Sequence, residues 1–165
     1  MSVLEIDGKQ YPARCDFKFE RTAEEKYNEK DGNGNKQGGL ATIYLNLLNK
    51  TSTLYLIYFW DCALSHLKSQ KPSVEKIEEA LEKVIDEEGE KGTERLFKEA
   101  FQAVEKSGFF IVQTKQIWKE FDILKKEIKQ RDGETDEEFR KRKLQRQEGI
   151  EYAERMARLR KEMSK

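Results

Sequence analysis

Leu54-Tyr55-Leu56-Ile57-Tyr58-Phe59-Trp60-Asp61-Cys62-Ala63-Leu64-Ser65-His66-Leu67-Lys68 is the stretch on which the fold turns. A helix drawn through it is apolar on nearly every side, so it belongs at the centre of a core or forms half of an interface. Thr51-Ser52-Thr53 offers its cap. A membrane span needs ~20 apolar residues, and this shorter run carries Asp61 and His66. Upstream, Leu40, Ile43, Tyr44, Leu47 and Leu48 recur at i, i+3, i+4, i+7 and i+8, one face of a helix over 40–48. Downstream, Pro72-Ser73 restarts the chain, and Val74, Ile77, Leu81, Val84 and Ile85 form a stripe backed by glutamates. Gly89 and Gly92 break that helix. Leu96, Phe97, Ala100, Phe101 and Val104 mark a further one from Thr93 to Lys106, with Gly108 as its C-cap. Phe110, Ile117, Phe121, Leu124 and Ile128 carry another over 109–129.

Ahead of these helices, residues 3–20 alternate in the manner of strands, up to Phe17 and Phe19. Asp7-Gly8 between two such runs signals a β-hairpin with a type I′ turn. Pro12 cannot donate to a ladder, which confines it to an edge or bulge. An isolated hairpin is marginal in water, so this one must pack on helices. Thr22-Ala23-Glu24-Glu25 reads as a capping box opening a short helix. Residues 28–39, rich in Gly and Asn and without an apolar side chain, read as a mobile loop. The fold class is α+β, mostly α: a short N-terminal hairpin packed on a helical bundle over 1–125, followed by a charged helical extension over 126–165.

That extension differs in composition. Residues 126–165 hold 13 Lys+Arg and 10 Asp+Glu, net +3, while residues 1–125 hold 19 and 22, net −3. Thr135-Asp136-Glu137-Glu138 is a capping box for its long helix. Ile150, Met156, Leu159 and Met163 share a broad face without a sustained heptad, so the helix either seeks a partner or is loosely ordered. Across all 165 residues, 32 Lys+Arg balance 32 Asp+Glu, and 39% of residues are charged against roughly 25% in an average domain. Excess charge without imbalance fits long solvated helices. A nucleic-acid binder would carry a basic excess, so nucleic acid is not the expected partner. No basic n-region leads into an apolar run after Met1, and Cys15 and Cys62 lie far apart, so a secreted disulfide-built protein is not expected.

Few residues suggest chemistry. Asp31-Gly32-Asn33-Gly34-Asn35 resembles the start of a calcium loop, but such a loop needs glycine at its sixth position and glutamate at its twelfth, where Lys36 and Thr42 stand. Cys62 and His66 lie four apart on a helix and can touch, yet no orienting acid or oxyanion motif accompanies them, and a packed Cys beside a satisfied His is the default. Glu78-Glu79 and Glu87-Glu88 belong to a solvated helix face. One His and two scattered Cys do not make a zinc set. No catalytic residue, metal or cofactor is expected, and the chain reads as a non-enzyme. Arg140-Lys141-Arg142-Lys143 with Arg146 is the one dense basic run, suited to docking on a partner. The aromatic helix holds more apolar surface than a small bundle readily covers. Tyr55, Tyr58, Phe59 and Trp60, with Phe97, Phe101, Phe109, Phe110, Trp118 and Phe121, read most simply as core. The part of the apolar surface expected to serve self-association or client binding is Tyr55, Tyr58, Phe59 and Trp60, with Leu96, Phe97 and Phe101.

The order of parts resembles a known family. Leu4-Glu5-Ile6-Asp7-Gly8-Lys9-Gln10-Tyr11-Pro12 matches the I-x-G-K-x-Y hairpin that opens the tail assembly chaperones of long-tailed bacteriophages. Phe17-Lys18-Phe19, the Gly-rich gap, Gly39-Leu40-Ala41-Thr42-Ile43-Tyr44, the aromatic helix and the acidic helix after Pro72-Ser73 follow in the same order over about residues 3–125. The resemblance implies a non-enzymatic protein of the host cell cytoplasm. It would coat the aggregation-prone tape measure protein, self-associate into a homo-oligomer, and leave as tail-tube protein polymerises. It also implies a longer product made by ribosomal frameshifting, and no catalytic residues. A small nucleic-acid-associated or regulatory adaptor acting through the basic C-terminal helix is the alternative.

Overall fold

A computed structural model describes residues 2–165. Strands β1 (Val3–Ile6) and β2 (Lys9–Pro12) are followed by α1 (Phe17–Lys26), α2 (Gly39–Asn49), α3 (Leu54–Ala63), a 3-10 segment (Ser65–Gln70), α4 (Val74–Glu105), α5 (Ile111–Leu124) and α6 (Asp136–Met163). The α+β, mostly α class is correct: one antiparallel hairpin lies against a helical bundle.

In the hairpin, Leu4 faces Tyr11 and Ile6 faces Lys9 across the ladder. Asp7 and Gly8 have φ of 51° and 78°, the positive pair a type I′ turn demands. The face bearing Leu4 and Ile6 is buried and packs on α4. The second strand, however, stops at Pro12. Phe17 and Phe19 open a helix instead, because the Asp16 carboxylate accepts the Lys18 and Phe19 N–H groups at 2.9 and 3.0 Å. Asp is among the best N-caps, and a start at Phe17 aligns Phe19 with Ala23 on one buried face. Thr22 is therefore no cap: inside α1 its hydroxyl donates to Ser65 Oγ at 2.9 Å.

Residues 28–38, within the stretch 28–39 expected as a mobile loop, form an organised turn. Lys30 bridges to Lys36, Asp31 Oδ1 accepts the N–H groups of Asn33 and Asn35, and Asn28 Oδ1 accepts that of Gly38. Gly39 then allows α1 and α2 to touch, since a Cβ there would stand 2.1 Å from the carbonyl carbon of Ala23.

Helix α3 is shorter than expected, ending at Ala63. The Ser65 hydroxyl bonds back to the Asp61 carbonyl at 2.8 Å, and the chain tightens into the 3-10 segment. α4 runs through the expected double break as two helical arms hinged at Gly89 alone, whose φ and ψ are 61° and −139°. Gly92 lies within the second arm and is buried. α4 ends with Lys106 as its cap, ahead of Gly108. α5 is shorter than the expected 109–129, and the chain leaves it at Lys125. The Thr135 capping box is formed as read, with Thr135 Oγ1 accepting the Glu138 N–H and Glu138 Oε2 accepting that of Thr135.

α3 sits at the centre, packed on α1, α2 and α4. Its own Phe59 and Trp60, with Tyr44, Phe19, Phe101 and Phe110 from its neighbours, are the largest fully buried side chains. α6 is neither loose nor unpartnered: it folds back on α2, α4 and α5 and buries Ala153, Met156 and Met163.

Candidate functional site

Of the seven apolar residues expected at an association surface, the fold takes six out of reach of solvent. Tyr55, Phe59, Trp60, Leu96, Phe97 and Phe101 are all buried, and Tyr58 is half-buried, stacked on Tyr27 at 4.2 Å. The reason is numerical. A helix apolar all round needs neighbours on each side, and α1, α2 and α4 supply most of them, leaving Leu54 exposed and Ile57 and Tyr58 half-buried.

Among these aromatics lies a buried charge. Asp61, 1% exposed, receives Lys26 Nζ at 3.0 Å, the Tyr27 hydroxyl at 2.7 Å and the Lys71 ammonium. Burial alone raises a carboxyl pKa, but Lys71, Tyr27 and Lys26 together hold this one below its ordinary value. The cluster ties α1 to α3 and to the turn before α4, a structural clasp rather than a reactive acid. Beside it, burial and the Asp61 charge push the Cys62 thiol well up, while His66 Nδ1 lies 3.0 Å from the Ala63 carbonyl. This is the environment of an inert thiol.

A second clasp holds the C-terminal helix. The Trp118 indole donates to the Tyr44 hydroxyl at 2.7 Å, Tyr44 donates to Glu105 Oε2, and Arg160 Nε donates to Glu105 Oε1 at 2.7 Å. The Arg160 guanidinium also lies 4.6 Å over the Trp118 ring. Burial first, then the bond to Glu105, raises the Tyr44 pKa. Four residues from α2, α4, α5 and α6 thus close one network, and Gln102 adds a bond from its amide to the Met163 carbonyl at 2.7 Å.

The exposed apolar surface lies elsewhere. Phe17 and Val112 are 71% and 73% exposed and Ile111 is 44% exposed. The first turns of α1 and α5 run side by side, joined by an edge contact between Phe17 and Phe109 at 4.7 Å and a Gln113–Glu20 bond at 3.3 Å. Sequence reading missed this patch. Its signal was the run Phe109-Phe110-Ile111-Val112 across a helix start, where Phe110 is buried and Phe109 half-buried against the core while Ile111 and Val112 stay exposed.

The basic run is divided. Arg142 makes a two-pronged pair with Glu134 at 2.8 Å and donates to the Lys129 carbonyl, while Arg146 donates to the carbonyls of Ile123 and Lys126. Arg142 holds the Glu134 carboxyl down to about 2. Both arginines therefore satisfy the end of α5 and the link to α6, leaving Arg140, Lys141 and Lys143 exposed. Among the described residues, no helix is long and apolar enough to cross a membrane.

Comparison with known proteins adds one match. A family model described as phage tail assembly chaperone protein, TAC, matches residues 3–119, from β1 into α5 and short of α6. Searches of the curated proteins and of the solved structures found no match.

Proposed function

The chain belongs to the phage tail assembly chaperone family, whose model spans well over half of it, and on that premise we propose that it binds and solubilises the tape measure protein during tail morphogenesis. It works without catalysis in the host cytoplasm, as a homo-oligomer, beside any longer frameshift product, and releases its client to tail-tube protein. The observation that carries this reading is the patch of Phe17, Ile111 and Val112, exposed apolar side chains on a molecule in which 39% of residues are charged. Such a patch binds apolar segments of another polypeptide, and the surrounding charge keeps the complex soluble. The adaptor alternative has less support, because two of its five basic residues are committed inside the fold.

Co-expression with the tape measure protein of the same phage tests the proposal. The wild-type chain should keep that protein soluble and co-purify with it. The double variant Phe17→Glu/Val112→Glu should fold, since both side chains are exposed, and lose at least tenfold of the capture. Retention of capture by this variant would remove the patch from the mechanism. Light scattering after size exclusion reads the oligomeric state, and a strict monomer at every concentration would rule out the homo-oligomer.

A further inference from the structure

The C-terminal helix lies along a groove formed by α2, α4 and α5. Between α2 and α5, Leu45, Ile117, Phe121 and Leu124 line a cleft of about 550 Å³ that Tyr152 of α6 borders. Further along, the groove carries Glu105, Tyr44 and Trp118 as a polar hook. α6 engages this groove sparsely for its length. Of its 28 residues only Ala153, Met156 and Met163 are buried, and Arg160 supplies its one ion pair to the body. Its first half meets the end of α5 and the link through Arg142 and Arg146, and Leu144 there is 70% exposed.

These contacts define a recognition pattern. On one face of α6 the groove reads a small residue at 153, methionine at 156, arginine at 160 and methionine at 163. The arginine is the demanding element. Glu105 is largely buried, its side chain 13% exposed, and without Arg160 its remaining strong partner is the Tyr44 hydroxyl. A buried carboxylate stripped of its cation is strongly unfavourable, so whatever replaces α6 must bring a positive charge to the same place. Once α6 leaves, the cation–π face of Trp118 asks for the same group.

We propose that α6 is a removable internal occupant of a helix-binding groove. Its partner is an amphipathic client helix that presents an arginine between apolar side chains spaced as in α6, and displaces it. This rests on the reading of the chain as a client-binding chaperone and adds a second surface, distinct from the Phe17 patch. It also gives α6 a role: in the free protein it covers apolar surface that would otherwise associate unselectively, and it admits only a helix able to satisfy Glu105.

The probe is a fluorescein-labelled peptide of residues 148–165, read by anisotropy against the full-length chain. Two full-length variants eject α6 by different means: Arg160→Glu places like charge beside Glu105, and Met156→Glu buries a charge in the seam. Both should keep amide-exchange protection in α3 and α4 and show at least tenfold faster amide exchange in α6. Both should bind the peptide at least tenfold more tightly than wild type, whose groove is filled. A peptide carrying Arg160→Glu should not bind. The proposal is overturned if α6 stays protected in both variants, if both lose the body fold together with α6, or if α6 opens and peptide affinity stays within twofold of wild type. Peptide binding with no capture of the tape measure protein would instead count against the tail-chaperone reading and leave the groove in place.

Discussion

Helices α4 and α6 are the two longest in the molecule and both are heavily charged, yet they hold to the fold in different ways. α4 buries Ile77, Ala80, Leu81, Leu96, Phe97, Ala100, Phe101 and Val104, while α6 buries three side chains over nearly the same length. Dispersion and removal of apolar surface from water scale with that difference. α6 therefore leans on directional contacts, chiefly Arg160 with Glu105, Gln102 with the Met163 carbonyl, and the two arginines that close its entry turn. Length and charge do not tell a core helix from an attached one. The number of apolar positions brought to a shared face does.

The largest expected effect lies in the body. Phe101→Ala removes a fully buried ring and should cost about 3–5 kcal/mol of global stability, read by denaturant unfolding. Asp61→Ala should follow at about 3 kcal/mol, because Lys71 and Tyr27 lose the charge they converge on; a Lys71→Met partner change should recover part of it. Arg160→Ala is the direct test of the comparison. Its guanidinium is partly exposed but its loss leaves Glu105 largely buried without a cation, so about 2 kcal/mol should be lost, and amide exchange should rise in α6 while α4 stays protected. If the body loosens as much as with Phe101→Ala, α6 is core and the distinction between the two helices collapses.

Acid sharpens the same contrast. Glu134 is held at about 2, below its ordinary 4.5, so the pairing with Arg142 contributes fully above pH 4.5 and is lost as pH falls from there toward 2. Asp61 is also held low, and its contribution too is present above its ordinary value of 3.8 and lost as pH falls through its depressed one. Hydrogen exchange across an acid titration should therefore show the start of α6 opening from about pH 4.5 downward, before the Asp61 clasp weakens. The smallest effect is at the surface: Val112→Ser should change stability by less than about 0.5 kcal/mol while weakening client capture.

Local chemistry was readable wherever a single short-range contact decides. Asp7-Gly8 announces its turn because few residue pairs accept two positive φ angles, and Thr135 with Glu138 announces a helix start because the two side chains satisfy each other's backbone groups. The Asp16 cap was passed over because Phe17 and Phe19 also alternate, and two apolar residues two apart suit a strand as well as the start of a helix whose second turn is unseen. The polar turn at 30–36 was missed for a related reason. Its order comes from Asp31 bonding backbone N–H groups, which composition does not reveal.

The candidate site divides along the same line. Family membership was legible from the order and wording of the N-terminal segments, and the match over residues 3–119 agrees. Which aromatics remain at the surface was not, since exposure depends on how many neighbours arrive around α3. Glu105 and Arg160 lie far apart in the chain among many other charges, with nothing local to pair them.

By itself, the sequence determined the hairpin, the existence of the aromatic helix, the cap of the last helix and the lack of a basic excess, because each follows from periodicity, one turn or a count of charges; that the aromatic helix is the centre of the core was decided by its neighbours. Tertiary structure alone decided that Phe17 and Val112 face solvent while Trp60 and Phe101 do not, that Gly39 must lack a side chain, and that a charged helix finds its partner within the same chain. Those outcomes depend on three-dimensional neighbours: a side chain is buried, an ion pair formed or a Cβ excluded only by what distant segments bring to the same place.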